Sequence, residues 1–93
     1  MQATLHSEPI AQSDRTVEHG GYTYFPRSAV RMELLRTAAK SERDLECPHG
    51  VQFYDVAAGG AHARRAAWSY EAPGAGRQHI DHWIGFWGDV KIG

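Results

Sequence analysis

The sequence predicts a mainly β fold, a single domain of short antiparallel strands with one short helix. Three observations carry this. Aromatic and β-branched residues cluster in short runs at Tyr22 to Phe25, Val51 to Val56, Ala63 to Tyr70 and Trp83 to Phe86, the composition that suits a pleated, half-buried surface. Glycine and proline separate these runs at His19-Gly20-Gly21, Pro26, Pro48-His49-Gly50, Ala58-Gly59-Gly60 and Pro73-Gly74-Ala75-Gly76. Ser28 to Leu35 is the best helix candidate, with Val30, Leu34 and Leu35 on one face and Ser28 placed to cap it.

Taken in order, Ala3 to Ser13 reads as one or two brief strands with Glu8-Pro9 as the turn between them, and Arg15 to Glu18 as a further short strand. A tight turn at Gly20-Gly21 leads into Tyr22 to Phe25, which Pro26 ends. After the helix, Thr37 to Glu42 is polar loop or frayed helix, and Asp44-Leu45-Glu46-Cys47 is a strand entering the turn at Pro48-His49-Gly50. Along Val51 to Val56, alternation sets Val51, Phe53 and Asp55 on one face and Gln52, Tyr54 and Val56 on the other. That run and Ala63 to Tyr70 form the clearest hairpin. Gln78 to Asp81 is read as one helical turn.

Ninety-three residues make one domain with one core. Three tryptophans, four tyrosines and three phenylalanines supply much of its apolar area. A net charge of −1 provides no basic excess for nucleic acid or an anionic membrane, and the Arg64-Arg65 pair is expected on a solvated face. The single cysteine allows no internal disulfide, which fits a reducing cytoplasm. The residues from Met1 to Glu8 have neither the basic start nor the apolar run of a signal peptide, and no stretch has the length of a membrane span. A soluble cytoplasmic protein is therefore expected, with a small-molecule ligand as its partner.

Five motifs follow one another as Tyr24-Phe25-Pro26, Val30-Arg31-Met32-Glu33-Leu34-Leu35, Cys47-Pro48, Ala67-Trp68-Ser69-Tyr70-Glu71-Ala72-Pro73 and Phe86-Trp87, preceded by Ile10-Ala11-Gln12-Ser13. Their order and spacing resemble the bacterial family called domain of unknown function 427 over nearly the whole chain. The resemblance implies a β-tent, two small antiparallel sheets meeting at an angle, the fold class of methionine-R-sulfoxide reductases and of the thalidomide-binding domain of cereblon. It also brings a nucleotidyltransferase label. Two positions depart from the family pattern. Ala29 stands where relatives have an acid, and Cys47-Pro48-His49-Gly50 is one residue shorter than the family turn and lacks its lysine. Any family chemistry carried by that acid and lysine is missing here.

Four chemistries compete for these residues. Cys47 as a nucleophile needs a lowered pKa, which His49 two residues on could support. The competing reading is a small buried residue at a strand end. A zinc site would have to use Cys47, His49, His79 and His82, but Cys-x-His is not a structural zinc spacing, so no metal and no cofactor are expected. Nucleotidyl transfer calls for paired carboxylates and a phosphate cradle. Asp44, Asp55, Asp81 and Asp89 have no paired spacing, and Gly59-Gly60 is followed by Ala61. The remaining reading is an aromatic-lined pocket made by Tyr24, Cys47, His49, Trp68 and Tyr70, binding a small molecule. An enzyme or a protein-interaction module is the alternative, and no catalytic residue is assigned. Ser69 points away from Trp68 and Tyr70 and is not read as a nucleophile.

Overall fold

The computed structural model describes residues 1–93. Two antiparallel sheets make up the mainly β fold expected of the β-tent. The smaller contains β1 (Gln2–Leu5), β2 (Glu8–Gln12) and β9 (Lys91–Ile92) in the order β2-β1-β9. The larger contains β3 (Val17–His19), β4 (Tyr22–Phe25), β5 (Leu35–Thr37), β6 (Val51–Ala58), β7 (Ala61–Tyr70) and β8 (Ile84–Phe86), in the order β3-β4-β8-β7-β6-β5. The expected hairpin of β6 and β7 is its longest ladder, pairing Val51 with Tyr70 and Phe53 with Trp68. The late strand β8 inserts between β4 and β7.

Alternation divides the large sheet into two chemically different faces. Phe25, Ile84, Phe86, Ala67, Tyr54 and Val56 join Ala3, Leu5 and Ile10 of the small sheet in the main apolar cluster. Tyr24, Trp68 and Val51 belong to a second cluster with Ile80, flanked by Phe53, Tyr70, Cys47 and Trp83. Register sets Tyr24, Gly85, Trp68 and Phe53 in one row across β4, β8, β7 and β6. The row needs a glycine in β8, because a Cβ on Gly85 would lie 2.8 Å from the Trp68 indole and 3.0 Å from the Tyr24 ring. The indole lies over bare backbone.

Several local expectations are corrected. Ser28 to Leu35 is not a helix but two 3₁₀ turns, Arg27–Ala29 and Met32–Leu34, separated by extended Val30. Val30 bridges to Ala11, and the Arg31 N–H donates to the Ile10 carbonyl at 2.8 Å. So short a helix has little stability of its own, and pairing with β2 prevails. Leu35 then opens β5, which ends at Thr37, the first residue of the stretch expected to be polar loop or frayed helix.

The one α-helix, α1 (Glu42–Glu46), occupies the stretch expected to be a strand into Cys47. Ser41 and Asp44 form a capping box: the Asp44 N–H donates to Ser41 Oγ at 3.2 Å and the Ser41 N–H to Asp44 Oδ2 at 3.0 Å. The first turn is at His6-Ser7, not Glu8-Pro9. Both residues have left-handed φ, 50° and 63°, as a two-residue hairpin turn requires. Pro9 sits inside β2, which is tolerated because β2 is an edge strand. The third strand starts at Val17, two residues after the expected Arg15.

Arg65 is the last correction, since it is not a solvated arginine. A bulge in β7 gives it φ 52°, and its N–H donates to Asp55 Oδ1 at 2.9 Å. The guanidinium lies 4.2 Å from the Phe53 ring centroid and grips both oxygens of buried Asp44, at 2.9 and 3.0 Å.

Candidate functional site

The outer face of the large sheet is where side-chain chemistry accumulates. Trp68, only 4% exposed, forms the floor. Tyr22 stands edge-on to it with ring centroids 5.0 Å apart, Trp87 edge-on at 5.4 Å, and Phe53 stacks on Trp87 at 6.0 Å. With Val51 and Tyr70 these rings bound an apolar cup of about 140 Å³. Its rim is open, for Tyr22 is 38% and Trp87 43% exposed. The Trp87 indole is oriented by donating its N–H to the Arg65 carbonyl.

A groove of about 370 Å³ adjoins the cup and shares Val51, Phe53 and Tyr70 with it. Its other walls are polar, with Ser41, Arg43 and Asp44 around α1, Cys47 after it, and Arg65. Two hydrogen bonds from Arg65 and one from the Ser41 backbone hold the Asp44 carboxyl below the usual aspartate range. The largest concavity, about 520 Å³, lies elsewhere, between the β1–β2 and β6–β7 turns. Two of its eight lining residues are apolar, so it offers little area to a ligand that buries its surface.

The residues expected to form a site are distributed as follows. Trp68 and Tyr70 line the cup, and Cys47 lines the groove beside it. Tyr24 lies beneath, 2% exposed, its hydroxyl accepting from the Trp68 indole N–H at 3.3 Å. Burial pushes the Tyr24 phenol up to about 12. His49 lines neither cavity and is half-buried rather than exposed at its turn. Its ring meets Tyr70 edge-on at 5.6 Å, with Nδ1 accepting from the Gly74 N–H at 2.8 Å and Nε2 3.0 Å from Arg77 Nη1. Both ring nitrogens are thus turned to groups other than Cys47.

The four candidate zinc ligands do not converge. His79 packs against His19 with ring centroids 5.3 Å apart. The helical turn closes at Ile80, and His82 takes φ 64°, which breaks the shared face of His79 and His82. His82 instead pairs with Asp81 through Nδ1 at 2.5 Å and approaches Glu71 at 3.6 Å. The acids are equally scattered. Asp44 and Asp55 both serve Arg65, Asp81 serves His82, and Asp89 lines the distant concavity. No three His, Cys, Asp or Glu side chains are placed to share a metal ion.

Sequence reading did not pick out Tyr22, Phe53, Trp87, Arg65 or Arg77 as site residues. The first two had a usable signal, since Tyr22 shares a strand face with Tyr24, and Phe53 with Val51. It also missed a polar network on the inner face. Ser69, fully buried, donates to Glu71 Oε2 at 2.6 Å and lies 3.2 Å from the Tyr54 hydroxyl. Arg27 Nη2 approaches Glu71, Ser69 and Tyr54 at 3.1, 3.3 and 3.4 Å, and its Nε donates to the His82 carbonyl at 3.0 Å. The network ties the end of β7 to the first 3₁₀ turn and to the loop before β8. Ser69 contacts a carboxylate with no imidazole on its hydroxyl, an anchoring arrangement and not a nucleophile's.

No helix is long and apolar enough to cross a membrane. No curated protein matches the chain. A family model described as a domain of unknown function (DUF427), with a short label naming a nucleotidyltransferase, matches residues 2–92. The chain belongs to that family.

Proposed function

We propose that this member of the DUF427 family binds a small molecule, seating a flat apolar group in the aromatic cup and polar groups in the groove beside it. The observation that carries this reading is the open rim. Aromatic rings packed only for stability bury their surface, whereas Tyr22 and Trp87 leave theirs exposed around an apolar floor. The adjoining groove supplies what such a site needs besides area, namely a few oriented polar groups in Asp44, Arg65 and Cys47.

Binding is favoured over catalysis because the groups a reaction would need are committed elsewhere. His49 faces Gly74 and Arg77 and not the thiol, and the carboxylates that nucleotidyl transfer would use are dispersed. The net charge of −1 supplies no electrostatic pull toward nucleic acid or an anionic membrane. A lone half-buried thiol suits a bacterial cytoplasm.

Titration with indole, a flat and neutral probe, followed by NMR tests the reading. Shifts should concentrate on Tyr22, Phe53, Trp68, Tyr70 and Trp87. Trp87→Ala should weaken binding about tenfold while the chain keeps its fold, as judged by its amide spectrum. Shifts centred on another surface, or full affinity in Trp87→Ala, would refute the site.

A further inference from the structure

The chain has three half-buried arginines, Arg27, Arg65 and Arg77. Arg27 is matched to Glu71 at 3.1 Å and Arg65 to Asp44 at 2.9 Å. Arg77 has no carboxylate within ion-pair distance, and its Nε is buried without a hydrogen-bond partner. A half-buried guanidinium is ordinarily matched by an acceptor, because its donors are costly to desolvate unpaired. Arg77 alone of the three is left without a carboxylate.

Its neighbour sharpens the point. A neutral imidazole carries one N–H and one lone pair. His49 Nδ1 accepts from the Gly74 N–H, so the proton belongs on Nε2, where it points at Arg77 Nη1. Nη1 is itself a donor, and the two face each other at 3.0 Å. The other tautomer only moves the conflict to the Gly74 N–H. The ring packs closely on Gly74, where a Cβ would lie 3.3 Å from His49 Cε1 and press it slightly aside. The ring and the guanidinium are thus brought together by the fold with donors opposed and no acceptor between them.

We propose that Arg77 and His49 form a subsite for an oxyanion, a carboxylate or a phosphate, beside the Tyr70 ring. An oxyanion bound at the pair, with the guanidinium drawn back from its 3.0 Å contact with Nε2, accepts from Nε2–H and from the guanidinium, which resolves the opposed donors and gives Arg77 its missing counter-charge. The guanidinium carbon lies 5.7 Å from the Tyr70 ring centroid, and Tyr70 is also a wall of the aromatic cup. The ligand class is therefore a small molecule with a flat apolar part and a neighbouring acidic group. The assignment of this class rests on the binding site proposed above. The oxyanion subsite itself does not.

The test uses the full chain and two simple anions. Inorganic phosphate and acetate are titrated separately at constant ionic strength, following the Arg77 Nε–H and His49 ring signals by NMR. The expected result is a saturable shift of both groups in the millimolar range, about 1–10 mM, with the anions competing. The tighter of the two identifies the acid the site is built for. Arg77→Gln should abolish the His49 shift while its amide spectrum stays folded. Arg77→Lys, a point charge without the fork, should keep weakened phosphate binding. A response that persists in Arg77→Gln, follows only ionic strength or fails to saturate overturns the subsite. Indole titrated into the same sample separates the two proposals. Anions binding without indole leaves the subsite and removes the cup, and indole binding without anions does the reverse.

Discussion

The two faces of the large sheet use the same strands to build opposite kinds of interior. The inner face, against the small sheet, is sealed. Phe25, Val56, Ala67 and Ile84 are fully buried there, and nearly every member of the cluster is aliphatic or alanine. The outer face is built from rings, with polar tips satisfied in pairs such as the Trp68 indole N–H on the Tyr24 hydroxyl, and it stays open at Tyr22 and Trp87. Along β4 the two alternate residue by residue, Tyr24 outward and Phe25 inward. Both kinds of interior contribute to stability, but only the second leaves rings open at its rim. Having the second, in so small a chain, marks where binding is to be sought.

The largest effects should come from emptying either interior, and they separate the two. Phe25→Ala and Trp68→Ala should each cost about 3–5 kcal/mol, because each deletes a buried aromatic side chain. Denaturant melts would show similar losses. Among molecules still folded at low temperature, only Trp68→Ala should have lost indole binding. If Phe25→Ala loses it equally, the two faces are one coupled unit and the comparison fails.

Gly85→Ala is a smaller and more local perturbation. Its methyl would press on the Trp68 indole and the Tyr24 ring, an overpacking cost of about 1–3 kcal/mol. The near-ultraviolet circular dichroism should change as the indole is displaced. An unchanged spectrum at unchanged stability would mean that the row across β4, β8, β7 and β6 is not packed as described.

How much of this was legible beforehand depends on the range of the interactions. The strands Tyr22 to Phe25 and Val51 to Val56, and the Gly20-Gly21 turn, follow from alternation and local turn chemistry; the first strand and the turn stand as read, and the second strand runs on to Ala58. Val30, Leu34 and Leu35 have true helical spacing, yet Val30 pairs with Ala11, a partner nineteen positions away that no local pattern reveals. The position of α1 was legible and overlooked, since Ser41 followed three residues on by Asp44 is a capping signature. The opposed donors of His49 and Arg77, and the anchoring of Ser69 by Arg27 and Glu71, join residues 28 and 42 positions apart. Only the fold brings them together.

Acid should act on the polar wall of the groove. Arg65 first, and then Ser41, hold the Asp44 carboxyl below its unfolded value of about 3.9. A depressed folded pKa gives stability that is complete above the unfolded value and lost as pH falls through the folded one. Asp44→Asn should therefore be less stable than wild type by about 1–2 kcal/mol near neutrality, a modest figure because Arg65 is partly in water. The gap should narrow steadily below about pH 4. A gap independent of pH down to full protonation would show that the Asp44 charge contributes nothing.

The smallest effect concerns two tyrosines on one strand face, and it is the most exacting test of the comparison. Tyr22 and Tyr24 both meet the Trp68 ring edge-on, at 5.0 and 5.8 Å. Tyr24 is 2% exposed and Tyr22 38%. Tyr24→Phe removes the acceptor of a buried indole N–H and should cost about 0.5–1.5 kcal/mol. It should also remove an alkaline signature. A phenol raised to about 12 in the folded chain, against about 10 unfolded, keeps its proton longer when folded. Its stabilisation is complete below the unfolded value and is lost as pH rises toward the folded one. Wild type should therefore lose stability across that interval more steeply than Tyr24→Phe. Tyr22→Ala should cost less than about 1 kcal/mol, since it gives up edge contacts at a rim already wet. Indole affinity should reverse the ranking, falling more in Tyr22→Ala than in Tyr24→Phe. If Tyr22→Ala binds indole like wild type and melts like a core variant, the rim is structural and the outer face is a second sealed core.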